Sequence, residues 1–334
     1  ASMKAIKKYG GEAQCCICYT ISDVHTDEYY VEMVKNMEQM GADSIAIKDM
    51  AGILTPHNAY KLTKAIKEVT QLPLEIHTHA TSGISEMTYL KAVEAGADII
   101  DTALSPFSGG TSQPATESLM IALEEMGYET GLNLDKINEA VAYFQKIKQE
   151  FVDNGLFNPK VMDIEPKTLI YQVPGGMLSN LLKQLKDAKK EHLFEEVLQE
   201  IPRVRKEMGY PPLVTPMSQM VGTQAVMNVI SGERYKMVPK EIKDYVAGLY
   251  GQAPAPLDSE IVKLINGDNK IITQRPADLL APQLDQFRAE LGEIAMSEED
   301  VLSYGLFPTV ALPFLKKKHD PFYDIPEQLV EVIL

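Results

Sequence analysis

The chain has 334 residues, room for about two domains or for one α/β barrel with an appendage. Its 45% apolar and 24% charged residues exclude collagen-like and disordered chains, and a net charge of −15 repels polyphosphate, so no nucleic acid is expected as a partner. No apolar run reaches the ~18 residues of a membrane helix, and Ala1-Ser2-Met3-Lys4 lacks the apolar core of a secretory signal; a cytoplasmic protein with no direct membrane insertion is expected.

Up to residue 118 a short apolar strand, a polar break and a helix repeat as a βα series. Strands are expected over 14–20, 44–50, 74–80 and 99–105, and helices over 27–40, 56–70 and 85–95. Gly41 and Gly96, each followed by Ala-Asp, suit a left-handed helix stop. Near-continuous apolar strands joined by helices predict a parallel sheet covered on both faces. The three cysteines, Cys15, Cys16 and Cys18, fall on the first strand, and an odd, clustered set is no disulfide framework. As C-C-x-C they could ligate a metal, but the apolar stretch 13–20 favours buried strand residues.

Beyond 118 the strand signal fades. Amphipathic helices are expected over 134–154, 178–190, 193–208, 217–231 and 239–250, with turns at 173–177, 209–212 and 251–256. The run Lys316-Lys317-Lys318 reads as a solvated helix end. This gives two regions, 1–118 and 119–334.

The sharpest chemical signal is Leu74-Glu75-Ile76-His77-Thr78-His79. Side chains at i and i+2 of a strand face the same way, so His77 and His79 present two imidazoles at its carboxyl end, where barrel chemistry gathers and where a divalent metal would fit. Lys48 ends the preceding strand, Ile45-Ala46-Ile47-Lys48, and would reach the same rim. A protonated lysine repels a dication. Lys48 therefore pairs with a substrate anion, is carbamylated into a carboxylate-like ligand, or forms an ordinary ion pair with Asp49 or a helix carboxylate.

Here the motifs acquire a resemblance. Ile47-Lys48-Asp49-Met50-Ala51-Gly52, His77-Thr78-His79, Gly110-Thr111-Ser112-Gln113-Pro114, Val173-Pro174-Gly175-Gly176 and Val214-Thr215-Pro216-Met217-Ser218-Gln219 occur in the order found in the carboxyltransferases of biotin-dependent enzymes. That family includes the oxaloacetate decarboxylase α subunit, the transcarboxylase 5S subunit and the carboxyltransferase domain of pyruvate carboxylase. Cys18-Tyr19-Thr20 and Gly232-Glu233-Arg234-Tyr235-Lys236-Met237 look most like the decarboxylase α subunit.

The resemblance implies an α/β fold, a partial TIM barrel (strands 5 to 8 of a (β/α)8 barrel) followed by a mostly helical C-terminal region that closes over its mouth. It implies a divalent metal, zinc first with manganese or cobalt also compatible, held by Lys48 as a carbamate, His77 and His79; the family's fourth ligand, an Asp on the first barrel strand, has no counterpart here. Thr215 resembles the family's catalytic threonine, and Ser218 a residue of its biotin pocket. From the residues alone Thr215 would instead be a helix N-cap. Tyr235-Lys236-Met237 differs from the Met-Lys-Met that carries biotin and has helical surroundings, so biotin is expected on a separate carrier domain.

The implied activity is carboxyl transfer between oxaloacetate or pyruvate and biotin, of the oxaloacetate decarboxylase α type. The implied partners are those keto acids, the carrier domain, and a second copy or larger complex, attached at most peripherally to a membrane through other subunits. Two alternatives stand beside it. Related metal-dependent acyl-CoA lyases and synthases share the barrel and H-x-H but lack the Lys-Asp-Met-Ala-Gly and Val-Thr-Pro-x-Ser pair, and a catalytically inactive fragment would serve only in assembly.

Overall fold

The computed structural model describes residues 2–171, 175–320 and 323. The chain divides into two compact units, Ala1–Ile271 and Ile272–Leu334. The first begins with a short helix α1 (Ser2–Lys8) and continues as β1 (Gln14–Cys18), α2 (Asp27–Gln39), β2 (Ser44–Asp49), α3 (Pro56–Lys67), β3 (Leu74–Thr78), α4 (Ser85–Glu94), β4 (Ile99–Ile100) and α5 (Thr116–Glu125). The strands form one parallel sheet in the order β1-β2-β3-β4. Every expected strand and helix of the series is present.

Local signals set the helix ends. Thr26 and Thr55 accept the backbone N–H of Tyr29 and Asn58, capping α2 and α3, and Pro56 opens α3 where its missing N–H costs nothing. Gly41 and Gly96 take φ of +95° and +105° beyond α2 and α4, as their sequence context predicts.

The alternation of side chains decides what each face of the sheet does. Ile17, Ile45, Ile47, Leu74 and Ile76 point one way and are buried against Tyr30, Val34, Leu62, Ile66, Tyr89 and Ala92 of the helices. Full burial of such a side chain contributes about 1.5–3 kcal/mol. Gln14, Cys16, Cys18, Ser44, Lys48 and His77 point the other way and are exposed or half-buried. The expectation of a sheet covered on both faces is therefore corrected. In a barrel the helices cover only the outer face, and the inner face carries the chemistry.

That arrangement also corrects the reading of the cysteines. Cys16 is exposed, and Cys15 and Cys18 are half-buried. Cys15 lies on the helix side with its Sγ 3.3 Å from Met3 Sδ, whereas Cys16 and Cys18 share the inner face.

The rest of the first unit is helical: α6 (Leu134–Asp153), α7 (Thr168–Tyr171), α8 (Gly175–Asp187), α9 (Phe194–Glu207), α10 (Met217–Ser231), α11 (Lys240–Val246) and α12 (Ser259–Asn266). A second core joins α8 to α11 through Leu181, Leu185, Val197, Ile201, Val204, Val221, Ala225 and Ile242. The turn expected at 173–177 is corrected in part. Gly175, Gly176 and Met177 belong to α8, since one glycine pair does not outweigh the apolar stripe behind it; Val173 and Pro174 lie outside the described residues. Tyr235-Lys236-Met237 sits in the turn between α10 and α11.

The second unit holds α13 (Leu284–Leu291), α14 (Glu298–Leu306) and α15 (Pro308–His319) around Leu291, Val301, Ala311 and Leu315. Lys316 and Lys317 are exposed at the end of α15, while Lys318 reaches the buried Asp300 at 3.0 Å. No described helix is long and apolar enough to cross a membrane.

Among the described residues the outer edges of β1 and β4 have no strand beside them. Next to β4 an open groove of about 360 Å³ is lined by Ile99, Ile100, Leu119, Leu123 and Leu132. An unblocked edge with apolar flanks pairs with another chain. Sedimentation velocity of the chain should find a dimer or larger species; a monodisperse monomer over the micromolar range would contradict this.

Candidate active site

Strand register brings three inward side chains into one row. Cys18 pairs with Lys48, and Lys48 with His77, so neighbours are separated by one inter-strand spacing of about 4.8 Å. The His77 and His79 rings follow on the same rim with centroids 5.2 Å apart. The structure thus brings Lys48, His77 and His79 to one end of the sheet.

The ion-pair reading of Lys48 is removed by its neighbour. Asp49 points to the opposite face and is fully buried, accepting hydrogen bonds from Ile53 N at 3.0 Å, Leu54 N at 2.7 Å and Thr78 Oγ1 at 2.7 Å. Lys48 has no carboxylate partner among the described residues. It stands as an unpaired, half-buried amine on the inner face.

His77 Nδ1 lies 2.6 Å from Asp101 Oδ2, and the Gln113 side-chain amide approaches its Nε2 at 3.3 Å. Burial holds the His79 pKa below its ordinary value, helped by the neighbouring His77 and by Lys48 and opposed by a hydrogen bond to the Thr111 backbone. A neutral ring is the ligating form of histidine. No three His, Cys, Asp or Glu side chains gather as a metal site among the described residues. Burial raises the Cys18 pKa above its ordinary value.

Two motif glycines make the rim possible. Gly52, at φ +69°, would set a Cβ 2.6 Å from the His79 carbonyl oxygen. Gly110, at φ +53°, would set one 2.3 Å from Met162 Cα. Any side chain there would displace backbone, which accounts for the last residue of Lys-Asp-Met-Ala-Gly and the first of Gly-Thr-Ser-Gln-Pro. The segment 158–165 lies across the Gly110 loop and the turn after β3, with Thr111 N donating to Val161 O at 2.9 Å and Glu165 N to Thr81 O at 2.7 Å.

Thr215 and Ser218 line a second feature, a cleft of about 250 Å³ shared with Met50, Met177, Asn180, Val214 and Gln219. Met50 stands two residues beyond Lys48, so the barrel rim and the start of α10 meet in this cleft. Thr215 is exposed and Ser218 buried. The N-cap position of α10 is Pro216, with no side-chain capping bond, which corrects the capping reading of Thr215. Its hydroxyl is free for chemistry.

Sequence reasoning passed over three groups. Asp101 follows β4 at the position that Lys48 and His77 hold on their own strands, a signal that was legible. Arg205, only 6% exposed, has acceptors 184 and 185 residues away, and His25, 8% exposed, belongs to no motif.

A parallel sheet whose rim carries Lys48, His77 and His79, beside a cleft lined by Thr215 and Ser218, defines a partial barrel of the TIM type with a helical region. Comparison with known proteins agrees. Residues 168–331 match the conserved carboxylase domain family and residues 1–143 the HMGL-like family. A pyruvate carboxylase subunit of Methanocaldococcus jannaschii is 53% identical over 318 residues, 94% of this chain and 56% of that protein. The methylmalonyl-CoA carboxyltransferase 5S subunit of Propionibacterium freudenreichii is 44% identical over 330 residues, 95% of this chain and 63% of that protein. The carboxyl transferase domain of Rhizobium etli pyruvate carboxylase superposes with a TM-score of 0.85 at 30% identity, covering 97% of this chain and 58% of that one. The chain belongs to the carboxyltransferase family of the biotin-dependent carboxylases. It spans a little over half the length of these relatives.

His25 carries the pH dependence of the region behind the site. Its Nδ1 lies 2.7 Å from Ser22 Oγ, its Nε2 is buried without a partner, and the rings of Tyr29 and Tyr30 stand 5.0 and 6.1 Å away. Burial, with the nearby Arg205 cation, lowers its pKa from 6.5 to about 4. The unfolded chain therefore takes up a proton between about pH 6.5 and 4 that the folded chain refuses, and stability falls as pH drops through that window. The urea midpoint of the His25→Gln protein should fall less between pH 7 and 4.5 than that of the parent. Equal falls would show that His25 does not set the slope.

Proposed function

We propose that this chain carries out carboxyl transfer between a keto acid, oxaloacetate or pyruvate, and biotin borne on a separate carrier domain. The observation that carries it is the cleft in which Met50 of the rim meets Thr215 and Ser218 at the start of α10.

The donor set fits a divalent metal. His77 and His79 would bind it as neutral imidazoles, and Lys48, unpaired on the same face, would bind it as a carbamate. When bound, the metal supplies positive charge that lowers the cost of forming an enolate from the keto acid. Zinc is the first choice for two nitrogens and oxygens, with manganese or cobalt compatible.

The chain's own residues do the rest. The apolar walls Met50 and Met177 suit the ring of biotin, and Ser218 offers it a hydroxyl. In the direction of decarboxylation the bond between C3 of oxaloacetate and its carboxyl carbon breaks, and a bond from that carbon to the ureido nitrogen forms. The ureido nitrogen gives up its proton to Thr215 Oγ while Thr215 gives its own proton to C3, so the hydroxyl ends unchanged. The oxaloacetate decarboxylase α type runs this way. The reverse, carboxylation of pyruvate, is the second reading, favoured by the 53% identity to a subunit of an archaeal pyruvate carboxylase.

Thr215→Ala removes the relay but no metal ligand and no helix cap. Transfer to free biotin should fall by roughly 100-fold or more, while oxaloacetate decarboxylation without biotin changes little. Equal losses in the two assays, or none in either, would remove Thr215 from the chemistry.

Asp101→Ala should weaken zinc binding about 10- to 100-fold by titration calorimetry, because His77 loses the carboxylate that fixes its tautomer and angle. Unchanged affinity would mean that His77 is not a ligand.

A further inference from the structure

We propose that Arg205 is a positioning residue which clamps the loop after β1 to the loop leading into α10, and so holds Thr215 in place over the barrel rim. This rests on the reading above, in which Thr215 and the Lys48 row act on the same reactants. Arg205 sits in the last turn of α9 and is 6% exposed. Its Nη1 donates to Ile21 O at 2.8 Å, its Nη2 to Thr20 Oγ1 at 2.7 Å, and its Nε to Pro211 O at 3.1 Å.

None of these acceptors is a carboxylate. A buried cation spent on neutral acceptors costs stability, and α9 is already anchored through Val197, Leu198, Ile201 and Val204. The guanidinium is what this junction needs chemically, because its planar fork can address two loops at once and lysine's single ammonium cannot.

Both ends of the clamp are tied to the site. On the barrel side, Tyr30 OH donates to Thr20 O and accepts from Thr20 N, each at 2.8 Å, and Tyr19 N donates to Lys48 O at 2.9 Å. On the helical side, Val214 N donates to Pro212 O at 2.9 Å, and Ser218 N to Val214 O at 3.0 Å. A second contact spans the same junction, Tyr210 OH to Asp23 Oδ2 at 3.4 Å. The chain of bonds from Lys48 to the peptide before Thr215 is thus continuous, and Arg205 is its link between loops.

The test uses Thr20→Val, which keeps shape and removes one acceptor, beside Arg205→Lys and the double variant, all in the full-length protein. Hydrogen exchange should quicken together at residues 19–24 and 210–216, with 197–204 and 221–226 unchanged. Transfer to free biotin should fall about tenfold or more, as expected when a reacting group is misplaced, with biotin-independent decarboxylation within about twofold of the parent and the double variant no worse than Arg205→Lys. Equal loss of both rates, exchange rising through α9 and α10, or no change at all would each overturn the proposal. A parent protein with no biotin-dependent rate would overturn the proposed function itself; exchange at the two loops would then still decide whether the clamp exists.

Discussion

The buried carboxylate of Asp49 is the constraint on which the candidate site depends. Burial raises its pKa, and the hydrogen bonds from Leu54, Ile53 and Thr78 oppose that shift. Those bonds fold the chain back directly after β2 and tie the turn to β3. Because successive strand residues face opposite ways, fixing Asp49 outward fixes Lys48 inward, and the tight turn then sets Met50 at the edge of the cleft. One carboxylate thereby relates the row of Lys48 and His77 to the cleft lined by Thr215 and Ser218.

The second unit offers a contrast with the same residue type. Asp300 is 2% exposed, and burial would raise its pKa, yet Lys318, the Met296 N–H and His319 hold it down at about 2. Asp300 has the Lys318 cation beside it, and Asp49 has only neutral donors near it. A carboxylate held by a cation is a fixed charge that ties the end of α15 to the start of α14. A carboxylate held by amides and a hydroxyl shapes backbone without adding a positive charge beside the rim of Lys48, His77 and His79.

Much of this was legible in the sequence because it follows from short periods. The period of two placed His77 beside His79 and Lys48 on the same rim, and the Gly-Ala-Asp turns gave the helix stops. What failed had longer causes. The inner face of β1 to β3 is open, so cysteines of an apolar strand are not buried, and no window of residues reveals which face a barrel turns inward. Thr215 looked like a cap because hydroxyls before helices usually are, whereas the helix takes Pro216 there. Asp101 could have been found by extending the strand-end rule to the shortest strand. Arg205 could not, since its acceptors Thr20 and Ile21 lie 185 and 184 residues away.

Lys48 and Thr215 lie 167 residues apart in the chain, and no single element carries both. Lys48 rides on β2, whereas Thr215 opens α10, whose packing is with α8 and α9 in the helical core. Proton relay between a carbon and a nitrogen tolerates little error, since a displacement of about 1 Å costs on the order of 100-fold in rate. Apolar packing of the helical core sets α10 firmly against its neighbours but, being non-directional, leaves its position over the rim free to slide. Directional bonds must close that freedom, and the junction loops after β1 and before α10 are where the structure provides them. On the proposed clamp, substitutions among Thr20, Ile21 and Pro211 bear on the proposed transfer more directly than equally buried changes inside either core.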